Sequence, residues 1–205
     1  MTLSGALSGT HKSAHSAVDL VPHPRVEVFD SNSTSIGTGM MVVNAARLAA
    51  RGADTDTLLE WLTRWRDDTG MLFSLKTLEY LRRGGRIGAA SSLIGGLLGL
   101  RPVLTFSEGE VRPLARVRGG HEVYKRVVRT LDEHLPRGCR VRVGLVKIVD
   151  DDGMLEKLEA HLRDRLEVVD VYRGAPTGVV GAHAGPGAWG VFYQRVRDDD
   201  PLLSP

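Results

Sequence analysis

The hydrophobic and polar positions change period along this chain, and the changes mark its elements. Over "DTLLEWLTRWRDD" (56–68), Leu58, Trp61, Leu62 and Trp65 fall at i, i+3, i+4 and i+7. That spacing predicts an amphipathic helix over 55–68, and core packing is the simplest use of both tryptophans. A helix is also predicted over 36–51, "IGTGMMVVNAARLAAR", with "SNSTS" offering N-cap hydroxyls and Gly52 a stop. Before it, "VEVFDS" (26–31) reads as a short buried strand.

Beyond residue 70 the pattern shortens. "MLFSL" (71–75) predicts a strand, "KTLEYLRRGG" a short helix ended by Gly84 and Gly85, and 88–99 a helix weakened by Gly95 and Gly96. "RPVLTFSEGEVRPLARVR" predicts two strands joined at "SEGE". A helix over 120–135 places Val123, Val127 and Leu131 on one face. "RVRVGLVKI" (140–148) alternates charged and apolar residues, as a half-exposed strand does. A helix over 152–165 follows, with the acidic "VDDDG" as its solvated cap, then a strand at "LEVVDVYR" and a closing strand pair at "TGVVGA" and "AWGVFYQ". The end, "RDDDPLLSP", is predicted to be loose.

These elements make an α/β fold of two lobes. Residues 1–70 read as the remainder of a parallel-sheet lobe. Residues 71–197 read as a mostly antiparallel sheet with helices on one face, and 198–205 as a tail.

Composition narrows the function classes. Apolar residues make up 42% and charged residues 25%, as in globular domains, and the net charge of +2 gives no basic field for nucleic acid. Cys139 is the only cysteine, so no internal disulfide forms, which suits a reducing cytoplasm. No apolar stretch reaches the roughly 18 residues of a membrane span. The first residues lack the basic head and greasy core of a signal peptide.

Three stretches carry candidate chemistry. "LSGALSGTHKSA" sets Ser4, Ser8 and Thr10 among small residues, where hydroxyls and free backbone N–H groups suit an anion; helix capping is the plainer use. "GGRIG" frees Arg86 to reach into a cleft or across an interface, or to cap the carbonyls of a helix C-terminus. "GAHAGPGAWG" surrounds His183 with glycine, an arrangement that lets an imidazole meet a carboxylate or relay a proton, against a purely structural histidine. Metal binding lacks support. Cys139 and the other histidines (His11, His15, His23, His121, His134, His161) show no ligand spacing. Neither a phosphate-binding loop nor a Gly-x-Ser-x-Gly elbow is present.

Together, "LSGTHKSA" (7–14), "VFDSNSTSIGTG" (28–39), "FSLKTLEYLRRGGRIG" (73–88), "LLGLRPVLTFSEGEVRPLARVRGG" (97–120) and "VVGAHAGPGAWGV" (179–191) resemble the DegV family of fatty-acid-binding proteins. The resemblance implies a long-chain fatty acid in an apolar tunnel, lined here by "SSLIGGLLGL" and "IGTGMMVV". It implies a carboxylate held by Ser8, Thr10 and His183. It further implies a carrier that needs no cofactor and is not itself an enzyme. A separate ATP-dependent fatty acid kinase subunit would phosphorylate the bound acid for phospholipid synthesis, with Arg86 and Arg118 supporting docking or catalysis. The family pattern includes a further segment before "LSGT", with a "TSQPS"-like loop, that this sequence does not contain. Two other functions stay open at this level: a non-binding truncated paralogue and, with less support, a stand-alone phosphotransferase.

Overall fold

The computed structural model describes residues 1–21, 26–94, 99–149 and 153–203. In chain order the elements are α1 (Thr10–Leu20), α2 (Ser35–Ala50), α3 (Thr55–Asp67), β1 (Thr69–Ser74), α4 (Glu79–Arg83), β2 (Leu100–Ser107), β3 (Glu110–Arg118), α5 (Gly119–His134), β4 (Arg140–Lys147), α6 (Met154–Arg165), β5 (Glu167–Gly174), α7 (Gly178–Ala184) and β6 (Trp189–Arg195). A 3-10 turn over Gly88–Leu93 precedes β2.

Local chemistry sets several boundaries. α2 stops before Gly52, whose φ of 89° continues no helix. Asp54 caps α3 by accepting from the Thr57 N–H at 2.9 Å, and that bond holds its carboxyl below the ordinary value. In the β2–β3 hairpin Ser107 faces Glu110. Glu108 and Gly109 take φ values of 53° and 75°, the two-residue turn whose twist matches the strands it joins.

The strands form one sheet in the order β3-β2-β1-β6-β4-β5. Every pair is antiparallel except β4–β5, which α6 links as a crossover. Alternation along the strands divides the core. Leu72, Val143 and Val191 face α5 and α6, where Val127, Leu131 and Leu158 complete one apolar layer. On the opposite face, Phe192 and Val146 meet Met40 of α2, and Trp61 and Trp65 of α3 pack on Met41. Phe73, Leu104 and Val111, on that opposite face, meet Leu81 of α4. Helices therefore flank both faces, where the pattern alone predicted one.

Other expectations change for physical reasons. Residues 26–29 form no strand; a single parallel bridge joins Thr2 to Asp30. α1, α2 and α3 also come from this part of the chain, and among the described residues there that bridge is the only parallel pairing. "TGVVGA" lies within helix α7 and its cap, because β6 already has β1 and β4 on its two sides and leaves no edge for a neighbouring strand. The helix predicted over 88–99 is the 3-10 turn as far as Leu93. Gly95 and Gly96, and the acidic run 150–152 expected to cap α6, lie outside the described residues.

β4 is buried on both faces rather than half exposed. Its Arg142 is 1% exposed and meets Asp200 from the end predicted to be loose. The Arg142 Nη1 and Nη2 donate to the two Asp200 carboxylate oxygens at 2.8 and 3.0 Å. The Trp65 Nε1–H and the Leu202 N–H each donate to the same carboxylate at 2.9 Å. Among the described residues, no helix is long and apolar enough to cross a membrane.

Candidate functional site

The "LSGT" loop, the 71–111 face of the sheet, α4 and α7 enclose an apolar cavity of about 180 Å³. Leu3, Leu7, Phe73, Leu81, Phe106 and Val111 supply much of its wall, and Ser8, Thr34, Arg86 and His183 are its polar members. A smaller cavity of about 50 Å³ shares Thr34, Met71, Phe73, Val180 and Ala184 with it and continues toward Val146 and Trp189. The two adjoining cavities, together the slot, share this wall and carry few polar groups, the usual composition of a small-molecule site.

His183 lies in the last turn of α7 and is half buried. Its Nδ1 is buried, and neither ring nitrogen has a hydrogen-bond partner among the described residues. A histidine kept for structure normally satisfies its buried nitrogen, because an unpaired polar atom away from water costs about 1–3 kcal/mol. The imidazole reaches this place only because Gly84, at the end of α4, has no side chain: a Cβ there would overlap the ring. After His183 the chain turns at Gly185, whose φ of 77° excludes most side chains and against which Tyr80 packs. Two helix ends are thus pressed together by glycine at one imidazole.

Gly84→Ala should push the ring out of the slot. An overpacked methyl of this kind costs about 1–3 kcal/mol. We expect a lower melting temperature and loss of any ligand that His183 contacts, read by thermal melts beside ligand retention. A variant that keeps both wild-type values would show that the ring accommodates the methyl freely.

The other candidates divide. Ser8 lines the slot, and its Oγ lies 2.9 Å from the Thr10 Oγ1. Thr10 opens α1, is exposed, and is not among the lining residues. Ser4 is fully buried and committed to the fold: its hydroxyl donates to the Gly109 carbonyl at 2.8 Å and accepts from the Ala6 N–H. Arg86 both contacts the end of α4 and lines the slot. Its Nη1 donates to the Gly84 carbonyl at the end of α4, its Nε donates to the Leu7 carbonyl at 3.0 Å, and its side chain lines the slot. Arg118 sits apart, exposed at the end of β3 opposite Leu100.

The lining segments also differ from those predicted. Met40 and Met41 of "IGTGMMVV" are core residues, and Val42 and Val43 face solvent. From "SSLIGGLLGL", Leu93 and Ile94 line a different cavity, while 95–98 lie outside the described residues. One polar lining residue was not among the site residues predicted from sequence. Thr34, buried at the N-cap of α2, makes no side-chain cap bond and faces both parts of the slot. Its helix N-terminus favours negative charge. The signal was present in "SNSTS", but only the fold brings that turn to the slot. Among the described residues no group of histidine, cysteine or carboxylate side chains could hold a metal.

This fold has counterparts among known proteins. A DegV domain-containing protein of Caldanaerobacter subterraneus subsp. tengcongensis is 35% identical over 197 residues, covering 94% of this chain and 69% of that protein. The solved structure of a fatty-acid-binding DegV family protein from Thermus thermophilus superimposes with a TM-score of 0.88 at 35% identity, covering 95% of this chain and 69% of that one. A Thermotoga maritima protein, described as revealing a fatty acid binding function, matches at 30% identity with a TM-score of 0.82, over 95% and 67% of the two chains. The family model of the uncharacterised DegV proteins matches residues 1–196, and this chain belongs to the DegV family.

Proposed function

We propose that this chain binds a long-chain fatty acid, with the acyl tail in the apolar slot and the carboxylate at His183. The observation that carries this reading is the His183 imidazole, half buried and without a hydrogen-bond partner among the described residues, on the wall of a cavity otherwise nearly apolar. The energetics agree. Each buried methylene is worth about 0.8 kcal/mol. An unpaired carboxylate would cost several kcal/mol, so the head group needs donors where the tail needs none. Ser8 and His183 provide them directly, and Thr10 acts through its hydroxyl contact with Ser8. The relatives whose structures bind fatty acids share 30–35% of their residues with this chain, which supports the same ligand class here.

In this reading the protein is a cytoplasmic carrier that uses no cofactor. A separate ATP-dependent kinase subunit performs the chemistry. One carboxylate oxygen attacks the γ-phosphorus of ATP, the bond to the bridging oxygen breaks, and ADP leaves an acyl phosphate on the carrier. Arg86, exposed at the slot, stands beside the head group. Arg118 belongs to the surface that docks the partner.

Purified protein, extracted with organic solvent and examined by mass spectrometry, should release a long-chain fatty acid at near-equimolar amount. Protein stripped of lipid should rebind such an acid saturably. With ATP and a fatty acid kinase subunit, hydroxylamine should trap the acyl phosphate as a hydroxamate. Failure of both extraction and rebinding would end the lipid reading. Binding without hydroxamate would end only the kinase step.

A further inference from the structure

We propose that Gly190 sets the longest acyl chain this slot accepts, because the space left by its missing side chain holds the terminal carbons of the tail. The limit rests on the fatty-acid reading and adds a length to it. The direction of the tail follows from the lining. Ser8, Arg86 and His183 border the larger cavity only, so the head group belongs there. Thr34, Met71, Phe73, Val180 and Ala184 border both cavities, and Gly190 borders only the smaller. A chain anchored at His183 that fills the slot passes those shared residues and ends beside Gly190.

Gly190 lies inside β6, paired with Phe73 of β1 on one side and with Val146 of β4 on the other. Glycine weakens the middle of a strand, and there it often marks a close approach of backbone or ligand. Its φ is not positive, so no turn requires a glycine. Two other glycines of this sheet show the usual purpose. A Cβ at Gly70 would overlap the Tyr193 ring, and one at Gly144 would overlap Ile36. Each makes room for a protein side chain. At Gly190 no described side chain takes the space: a Cβ would stand 3.3 Å from the Phe73 Cβ and 3.5 Å from the Met71 Cε and the Val146 Cγ1. All three atoms belong to residues that wall the smaller cavity. With Phe73 and Val146 on its two flanks, a longer side chain at 190 has only that cavity to enter.

Tail length is read through burial. Each further methylene taken out of water raises affinity about fourfold, until the chain meets the far wall. Carbons beyond that point gain nothing, so affinity plotted against chain length breaks where the slot ends. A side chain at 190 brings the end closer. It moves the break to shorter acids and leaves untouched the acids that stop before residue 190.

Displacement of a fluorescent fatty acid from the delipidated full chain, by saturated acids from decanoic to icosanoic, tests the limit. In Gly190→Ala the break should move to a shorter acid, and in Gly190→Val to a shorter one still. The acid at the wild-type break should lose about fourfold for each methylene now excluded, while shorter acids keep wild-type affinity. Val146→Ala trims the facing wall and should move the break to longer acids, whether or not the Gly190 variants fold well. His183→Ala should weaken every length by one common factor and leave the break in place. A break that stays put in both Gly190→Ala and Val146→Ala, or a Gly190→Ala loss shared equally by all lengths, would overturn the limit and leave the fatty-acid reading standing. No displacement from the wild type by any acid would overturn both.

Discussion

Replacing His183 with alanine should weaken fatty-acid binding about 10- to 100-fold. A hydrogen bond to a charged group is worth about 1.5–3 kcal/mol, and each 1.4 kcal/mol is a factor of ten in affinity. The fold should tolerate the change, because the imidazole makes no protein hydrogen bond among the described residues and Gly84 backs it with no side chain. His183→Gln, which keeps a donor on a flexible stem, should recover part of the loss. The measurement is a dissociation constant for a fluorescent fatty acid, paired with a thermal melt of the lipid-free protein. A structural histidine would give the opposite pair of results: a lowered melting temperature with affinity intact.

The largest effect on stability should come from Asp200→Ala. Asp200 is 3% exposed, and its carboxylate accepts four hydrogen bonds, two from Arg142 and one each from Trp65 and Leu202. Removing it leaves the Arg142 guanidinium buried, with Gln194 and, at 3.6 Å, Asp170 as its remaining polar contacts. Breaking a buried pair from one side costs about 3–5 kcal/mol. That is a large fraction of the roughly 5–15 kcal/mol that holds a typical domain folded. Urea unfolding checks the value. The double variant Arg142→Met/Asp200→Leu should regain most of the loss, because a well-packed apolar pair often replaces a buried ion pair at little cost. Should Asp200→Ala unfold at the wild-type urea concentration, the pair contributes nothing.

The same carboxylate sets an acid limit. Burial raises the Asp200 pKa, but the Arg142 hydrogen bonds, the Leu202 N–H, the Arg142 charge and the Trp65 N–H together bring it below the ordinary value. A group depressed in the folded state stabilises fully above its unfolded pKa, about 3.9 for aspartate, and the contribution is lost as pH falls through the folded value. Stability should therefore drop below about pH 4, and Asp200→Asn should flatten that part of the profile.

Local signals carried much of this protein. The i, i+3, i+4, i+7 stripe around Trp61 and Trp65 is a property of one helix, and both rings are buried as it requires. Gly52 and the Glu108–Gly109 turn act through their own backbone angles and were legible for the same reason. The motifs around Ser8, Arg86 and His183 lie far apart in the chain, yet all three border one slot.

What only the tertiary structure decided depends on distant covering. Alternation in β4 reserves one face for Arg142, and nothing local reveals that α2 and the C-terminal segment bury that face. Nor does "RDDDPLLSP" announce that Asp200 will meet the guanidinium. α7 reads as a strand from its valines, yet a strand needs a free sheet edge, and β6 offers none. The slot wall comes from Leu3, Phe73 and Phe106 instead of the methionines of α2, because the side of a helix that meets the sheet is fixed by packing. Short-range periodicity determines elements, since a turn or helix closes over a few residues. The pairing of one surface with another is set by which partner removes the most apolar area and satisfies the most buried polar atoms. That selection is made only once the whole chain has folded.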